Sequence, residues 1–411
     1  MKKLVVVGAG HSAGHFVAEM LRRNFPGVIS MVGVERYGPY QRPPLSKAFL
    51  QSDEFDATRL ELRGAQFYRD AGVDVRLGVA AESLDRTARL LHLRDGSVVP
   101  YDHLVLATGA RARELQLPGR RLARIGTLRG LDDAKRLRRE LANARSVVVV
   151  GGGFIGLEVA STARKLGIQV TVLEAGSRLL ARSVSSFVAD ALHRAHMEAG
   201  VDVRLQAQVA AFEGDEAVSA VVCSDGERIA SDLVVIGVGS EPEVSLAQRA
   251  GLNVDRNGII VDAFTRTSDD AILAIGDCAA LQQPGTGRLL RLESVQCALD
   301  QAAQAAAYLS GDHVPHKTVP WFWSEQQELK LQIAGLFEAD DQAIVRSNNV
   351  GRAFCEIYVR DGRLVAAAAI NRPSDVLLIR RALGGDPIRP DLAKLADSSI
   401  PLSEVLLDTH R

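Results

Sequence analysis

The 411-residue sequence predicts an α/β protein, and three observations carry that expectation. Short runs of Val, Ile and Leu bounded by glycine alternate with helical stretches, the pattern of parallel strands joined by crossover helices. The same order of strand, glycine turn, helix and strand occurs twice, beginning at Leu4 and again at Val147. Beyond about Pro315 the pattern becomes antiparallel. The expected architecture is therefore two Rossmann-like dinucleotide-binding domains and a C-terminal α+β domain. The first occupies residues 1–110 and 240–314 as a discontinuous unit, the second 111–239, and the α+β domain 315–411.

Element by element, residues 4–7 read as a strand, Gly8-Ala9-Gly10 as the turn, 13–23 as a helix and 29–34 as the second strand. In the second unit, 147–150 is a strand, Gly151-Gly152-Gly153 the turn, 155–166 a helix and 170–173 a strand. Residues 104–106 and 272–274 read as further strands, ending in Ala107-Thr108-Gly109 and in Gly276-Asp277. The C-terminal part is expected to hold strands at 329–334 and 343–346. After them come a hairpin of 354–359 with 364–370, turning at Arg360-Asp361-Gly362, and a helix over 374–383.

Composition narrows the function classes. Hydrophobic residues make up 47% and charged residues 24%, an ordinary globular balance. Lys plus Arg number 49 against 50 Asp plus Glu, so no whole-molecule field is available to hold a nucleic acid or an anionic membrane. The longest apolar runs, such as 147–150 and 233–238, fall well short of the roughly 20 residues that span a bilayer. The LVVV run after Met1-Lys2-Lys3 stops at a glycine turn and reads as a buried first strand rather than a signal peptide. Cys223, Cys278, Cys297 and Cys355 stand far apart, with no metal-ligand spacing, so neither an iron-sulfur cluster nor a structural zinc is expected. Scattered thiols suit a reducing compartment, and a cytoplasmic location is expected.

The two glycine turns carry the chemistry. Gly8, Gly10 and Ala13 fit G-x-G-x-x-G/A, and Gly151, Gly153 and Gly156 fit its full form. Backbone N–H groups and the helix dipole at such a turn cradle a pyrophosphate, whereas the plain alternative is a strand–helix turn with no ligand. Glu174 closes the second strand of the second unit, where a carboxylate accepts from both ribose hydroxyls and repels a 2′-phosphate, which favours NADH. Arg178 and Arg182 follow closely, and an arginine there can instead receive that phosphate. In the first unit the acid is Glu35, preceded by Val34. A nicotinamide gives up hydride to a neighbour, so a second dinucleotide fold suggests FAD as acceptor, with Asp277 placed to bond a ribityl hydroxyl.

Gly8 to Gly14, Ala107-Thr108-Gly109, Gly151 to Glu158 and Gly276-Asp277 together resemble the two-dinucleotide flavoprotein reductases of the glutathione reductase structural class. Within it, Arg42-Pro43-Pro44-Leu45-Ser46-Lys47, Glu293-Ser294-Val295 and the segment from Pro320 to Gln326 resemble the oxygenase-coupled ferredoxin reductases, the family of putidaredoxin and rubredoxin reductases. The resemblance covers essentially the whole chain. It implies that the RPPLSK segment replaces the redox cysteine of disulfide reductases and NADH peroxidases, and no cysteine precedes Cys223.

By the same resemblance Lys47 stands beside flavin N5 and pairs with Glu158, the two implied catalytic residues; the other reading of Lys47 is a solvated surface lysine. Implied FAD contacts are Gly8, Gly10, Ser12, Ala13, Gly14, Glu35, Arg42, Pro44, Lys47, Ala81, Ala107, Thr108, Gly109, Arg129, Gly276, Asp277, Val295 and Trp323. Implied NAD contacts are Gly151, Gly153, Phe154, Ile155, Gly156, Glu158, Glu174, Arg182 and Gly239. Trp321 and Trp323 are either core aromatics or neighbours of the isoalloxazine. The chain departs from the family pattern at Val34, where relatives carry an acid, and at Cys297 and Glu325, where they carry asparagine and aspartate. His11 and His15 are read as packing or solvent-facing.

The implied activity is an FAD-dependent oxidoreductase taking hydride from NADH and passing electrons singly to a two-iron two-sulfur ferredoxin that supplies an oxygenase. A net positive stretch with Arg372, Arg380, Arg381 and Arg389 against Asp375 and Asp386 would suit an acidic ferredoxin, or is a solvated helix face. Two other classes share the fold. A flavin NADH oxidase or peroxidase would carry a cysteine near residue 42, and an NADH-sensing flavoprotein resembling apoptosis-inducing factor would carry a long C-terminal insertion. The oligomeric state is left open.

Overall fold

The computed structural model describes residues 1–52, 54–282, 288–315, 318–349 and 352–407, and no helix among them is long and apolar enough to cross a membrane. The chain divides into two compact units. One contains Met1–Gln41, Asp56–Arg111 and Ser240–Thr318, and the other Arg42–Phe55, Ala112–Gly239 and Val319–Arg411.

The first unit is built on a five-stranded parallel sheet in the order Ile272–Ala274, His103–Leu106, Lys2–Val7, Gly27–Gly33 and Asp74–Leu77. Its central strands are continuous apolar runs because both faces are covered. On one face Phe16, Val17 and Met20 of the His11–Arg22 helix pack with Ala302, Ala305 and Ala306 of the Val295–Leu309 helix, all fully buried. On the other, Leu84, Leu91 and Leu93 of an antiparallel three-stranded sheet close the core. The first helix begins at His11, two residues before the sequence expectation, because the chain enters it directly from Gly10. The second strand stops at Gly33, so Val34 lies outside the sheet and is 72% exposed.

The second unit repeats the plan with a parallel sheet of Asp202–Leu205, Gln169–Glu174, Ser146–Val150, Leu233–Ile236 and Ile125–Thr127. The Phe154–Lys165 helix follows the glycine turn as expected, and Val209–Gly214, Val218–Cys223 and Arg228–Ala230 add an antiparallel three-stranded sheet.

The same unit holds the antiparallel sheet, ordered Trp321–Gln326, Leu329–Gly335, Arg363–Ile370, Ala353–Arg360 and Gln342–Asn349. The expected hairpin is present: Asp361 and Gly362 take φ of 50° and 73°, the left-handed pair that a two-residue turn needs, and Arg360 pairs with Arg363. The Pro373–Gly384 helix buries Val376 and Ile379 against this sheet. The Trp321–Gln326 strand was not among the expected strands. Its inward residues are Ser324 and Gln326, so the alternation of apolar and polar residues that marks a half-buried strand is missing.

Candidate functional site

In the first unit the glycine turn is shaped by two different demands. Gly8 has φ of 124°, and a Cβ there would lie 2.1 Å from the Ala107 carbonyl oxygen, so the small-residue segment 107–109 and the turn require one another. Gly10 has ordinary extended backbone, and a Cβ on it would meet nothing within 4 Å. No close approach within the protein demands glycine at residue 10, and its place at the start of the next helix gives glycine only the modest preference of an N-cap.

Gly10 is also the N-cap of the His11–Arg22 helix, with no side-chain cap, and Gly153 caps the Phe154–Lys165 helix in the same way. Ser185, Ser294 and Asp391 cap their helices through side-chain oxygens, whereas the Ala65–Asp70, Ser245–Arg249 and Pro373–Gly384 helices also start without a side-chain cap, so it is the preceding left-handed Gly8 and Gly151 that set these two starts apart. Two uncapped helix starts, each behind a glycine that leaves the approach open, fit the pyrophosphates of two dinucleotides.

Around the first turn, Ser12, Ala13 and Gly14 are buried on the opening turn of the helix, and Gly276, with φ of 76°, lies so close to Ser12 that a Cβ would be 2.2 Å from its Oγ. The Gly276 N–H donates to Gln301 Oε1 at 2.6 Å, and Asp277 follows on a short 3-10 turn. The Thr108 hydroxyl donates to the Glu243 carbonyl at 2.6 Å, next to Ala107 and Gly109. Tyr40 donates its hydroxyl to Glu35 Oε2 at 2.5 Å, which fixes the half-buried carboxylate behind exposed Val34. Ala81 begins its strand, and Val295 is the first residue of its helix, where Ser294 caps the Cys297 N–H at 3.1 Å.

In the second unit, Glu174 Oε2 accepts from the Gly152 N–H at 2.7 Å and Oε1 from the Gly176 N–H at 2.6 Å, so the carboxylate is held at the mouth of the glycine turn. Gly151 repeats the left-handed geometry of Gly8 with φ of 107°, and Gly156 packs on the turn. Ile155 is 45% exposed beside the uncapped helix start. Arg182 is exposed, with a guanidinium nitrogen 3.2 Å from where a Cβ on Gly239 would stand. Arg178 is engaged elsewhere: its guanidinium donates to the Val184 and Ala181 carbonyls, each at 2.8 Å.

The same unit gathers the RPPLSK segment. Pro43 and Pro44 open a 3-10 turn over Pro43–Ser46, Arg42 donates to the Arg129 carbonyl at 2.7 Å, and the Thr162 hydroxyl donates to the Ser46 carbonyl at 2.7 Å. These anchors bring Lys47 Nζ to 2.6 Å from Glu158 Oε2, with the glutamate 4% exposed. Ser46 donates its hydroxyl to the same oxygen at 2.5 Å, and Ser324 donates to Oε1 at 2.7 Å. The carboxylate thus has three donors, which offsets its removal from water.

Trp321 and Trp323 stack at 4.9 Å between centroids, Arg380 lies over Trp321 at 5.3 Å, and Phe154 meets Phe322 at 4.4 Å. Arg372 pairs with Asp375 at 2.9 Å, so part of the positive stretch is satisfied within its own helix.

The four cysteines are free, and burial raises each thiol's pKa, that of Cys297 to about 12. No reactive thiolate is provided by them. Burial also lowers the pKa of His15. Ser46, Ser324, Gln326 and Thr162 escaped the sequence reading as individual residues, although Ser46, Ser324 and Gln326 lie inside the two quoted motifs.

Two dinucleotide-binding folds, one with a half-buried lysine paired to a buried glutamate, define an oxidoreductase of nucleotide cofactors. The family model described as pyridine nucleotide-disulphide oxidoreductase matches residues 2–302, and that described as reductase C-terminal matches 321–406. The chain belongs to the pyridine nucleotide-disulphide oxidoreductase family, in the branch that carries this C-terminal domain. It is 42% identical to rhodocoxin reductase of Rhodococcus erythropolis over 99% of this chain and 96% of that one. It is 39% identical to putidaredoxin reductase of Pseudomonas putida over 98% and 96%. Among solved structures, the covalent putidaredoxin reductase–putidaredoxin complex matches with a TM-score of 0.95 at 36% identity, covering 100% of this chain and 99% of that one.

Proposed function

We propose that the chain is an FAD-containing NADH:ferredoxin reductase, passing electrons to a two-iron two-sulfur ferredoxin that supplies an oxygenase. The observation that carries this reading is the pairing of Lys47, on the RPPLSK segment, with buried Glu158, in a chain similar over its whole length to putidaredoxin and rhodocoxin reductases. When bound, FAD supplies the conversion of a two-electron hydride into single electrons.

The residues of the chain do the rest. The uncapped helix starts at Gly10 and Gly153 receive the two pyrophosphates, and Glu174 receives the adenosine ribose of NADH. A 2′-phosphate would meet that carboxylate, while Arg178 is held by two carbonyls, which supports NADH over NADPH. Lys47 places a cation for the negative charge that reduction develops, and Glu158 keeps it oriented. Hydride transfer needs no proton from the protein, so positioning is the main contribution of these side chains. Four free thiols support a cytoplasmic location for this activity.

The test is anaerobic stopped-flow absorbance of the flavin-loaded protein, mixed with NADH or NADPH and then with a two-iron ferredoxin. Fast bleaching by NADH followed by recovery on adding ferredoxin is expected. Bleaching that ferredoxin leaves unchanged would overturn the partner.

A further inference from the structure

The donors on Glu158 continue into a buried polar chain that the activity, as described so far, does not use. Ser324 Oγ, which donates to Glu158 Oε1 at 2.7 Å, accepts from Gln326 Nε2 at 3.1 Å. Gln326 Oε1 stands 3.1 Å from His196 Nε2, and His196 Nδ1 stands 3.3 Å from Gln327 Nε2. Ser324, Gln326 and His196 are each at most 1% exposed. The chain runs from the Phe154–Lys165 helix through the Trp321–Gln326 strand to the Ser186–Glu198 helix, so three elements are joined by side chains alone.

The direction of every bond follows from its end. A carboxylate only accepts, so the single Ser324 hydroxyl proton is committed to Glu158. Ser324 must then accept from the Gln326 amide NH₂, which turns the Gln326 carbonyl towards His196. That carbonyl accepts, so His196 carries its proton on Nε2 and leaves Nδ1 to accept from the Gln327 amide. A neutral imidazole satisfies both contacts, and burial, with His193 near by, lowers the His196 pKa to about 4. Successive donors pointing one way polarise one another toward the acceptor. An apolar residue at position 196 would fill the same space without desolvating an imidazole, so packing alone does not account for histidine there.

We infer that His196 is a positioning residue for the Lys47–Glu158 pair: its Nε2–H holds the Gln326 carbonyl, and so keeps the Gln326 amide donating to Ser324 in the chain whose direction Glu158 fixes and which ends on Glu158 Oε1. The inference rests on the reductase reading for its consequence, since the chain determines how much of the Glu158 charge faces Lys47. With the Ser324 bond in place the carboxylate charge is shared with a donor, and more of the Lys47 charge is left for the reduced cofactor. Without it the carboxylate neutralises Lys47 more fully and the reduced cofactor is less stabilised.

The experiment compares wild type, His196→Leu, His196→Gln, Ser324→Ala and the Leu/Ala double variant as flavin-loaded holoproteins. Three readouts are taken: the flavin midpoint potential by dye equilibration, the rate of flavin reduction by NADH, and long-range 1H–15N correlation of 15N-histidine protein. His196→Leu and Ser324→Ala are expected to shift the potential to more negative values and slow reduction several-fold. The double variant should be no worse than either single one, and His196→Gln, whose amide offers the same donor and acceptor, should restore wild-type values. The wild-type spectrum should show His196 as the neutral Nε2–H tautomer.

A His196→Leu protein with a lowered melting temperature and a wild-type potential would overturn the inference, as would an Nδ1–H tautomer. If His196→Leu does not fold, His196→Met, which likewise removes the Nε2–H, takes its place in the potential measurement, and the wild-type tautomer is read independently of any variant. A wild type that NADH fails to reduce would instead defeat the reductase reading, and the tautomer result would stand apart from it.

Discussion

Replacing Gly10 and Gly8 by alanine separates what the fold requires from what a ligand requires. At Gly8 the new methyl would fall 2.1 Å from the Ala107 carbonyl oxygen on backbone with φ of 124°. Gly8→Ala should therefore destabilise the protein by about 3 kcal/mol or more, the range for strained backbone together with steric overlap. At Gly10 the methyl would meet nothing within 4 Å, and its extended backbone suits any residue. Loss of the preferred glycine N-cap costs about 0.5 kcal/mol, and the smaller entropy of the unfolded alanine chain returns about as much, so Gly10→Ala should be neutral within about 0.5 kcal/mol. The same methyl stands where a pyrophosphate is proposed to approach, and FAD affinity should fall by at least about tenfold, or 1.4 kcal/mol. The assay is urea unfolding of the apoproteins together with FAD titration by fluorescence quenching. Wild-type FAD affinity in Gly10→Ala would refute the argument that this glycine answers to a ligand.

Further outcomes follow from the second unit. Lys47→Met leaves the 4%-exposed Glu158 without its cation and should cost about 3 kcal/mol in chemical denaturation, whereas Lys47→Met with Glu158→Leu should recover most of it; equal losses would contradict the pairing. Glu174→Ala removes the proposed charge-assisted acceptor for the ribose and should lower the kcat/KM preference for NADH over NADPH by about tenfold or more; an unchanged ratio would remove Glu174 from nucleotide selection. His196 has a folded pKa of about 4 against 6.5 for the free side chain, so as the pH falls below 6.5 the unfolded chain binds the proton first and stability is lost, in full once the pH is below 4. Between pH 7.5 and pH 5 this should account for about 2 kcal/mol of urea stability that His196→Gln does not lose; parallel losses in both proteins would contradict it.

The fold was legible where local chemistry specifies it. Gly8 and Gly151 must turn a strand into a helix, and Asp361-Gly362 must close a two-residue hairpin, so glycines and apolar runs located the parallel sheets and the antiparallel one. The Trp321–Gln326 strand was not legible because its buried residues are polar and its period disappears in the sequence. The proximity of Lys47 and Glu158 had no local signature, and only the resemblance of the RPPLSK and GFIGLE segments to a family drew them together. Ser46 and Ser324 sat within quoted motifs without a role, because a serine becomes informative only when its acceptor is known. Nothing in the sequence around His196 marks it, since its partners come from a strand more than a hundred residues away.

The stoichiometry of electron transfer tests the central claim most directly. NADH is titrated anaerobically into a two-iron ferredoxin with a catalytic amount of the flavin-loaded protein, and ferredoxin bleaching is followed. The account predicts about two ferredoxins reduced for each NADH, because hydride carries two electrons and each ferredoxin takes one. NADH that is consumed only when oxygen is admitted, with ferredoxin left oxidised, would contradict it.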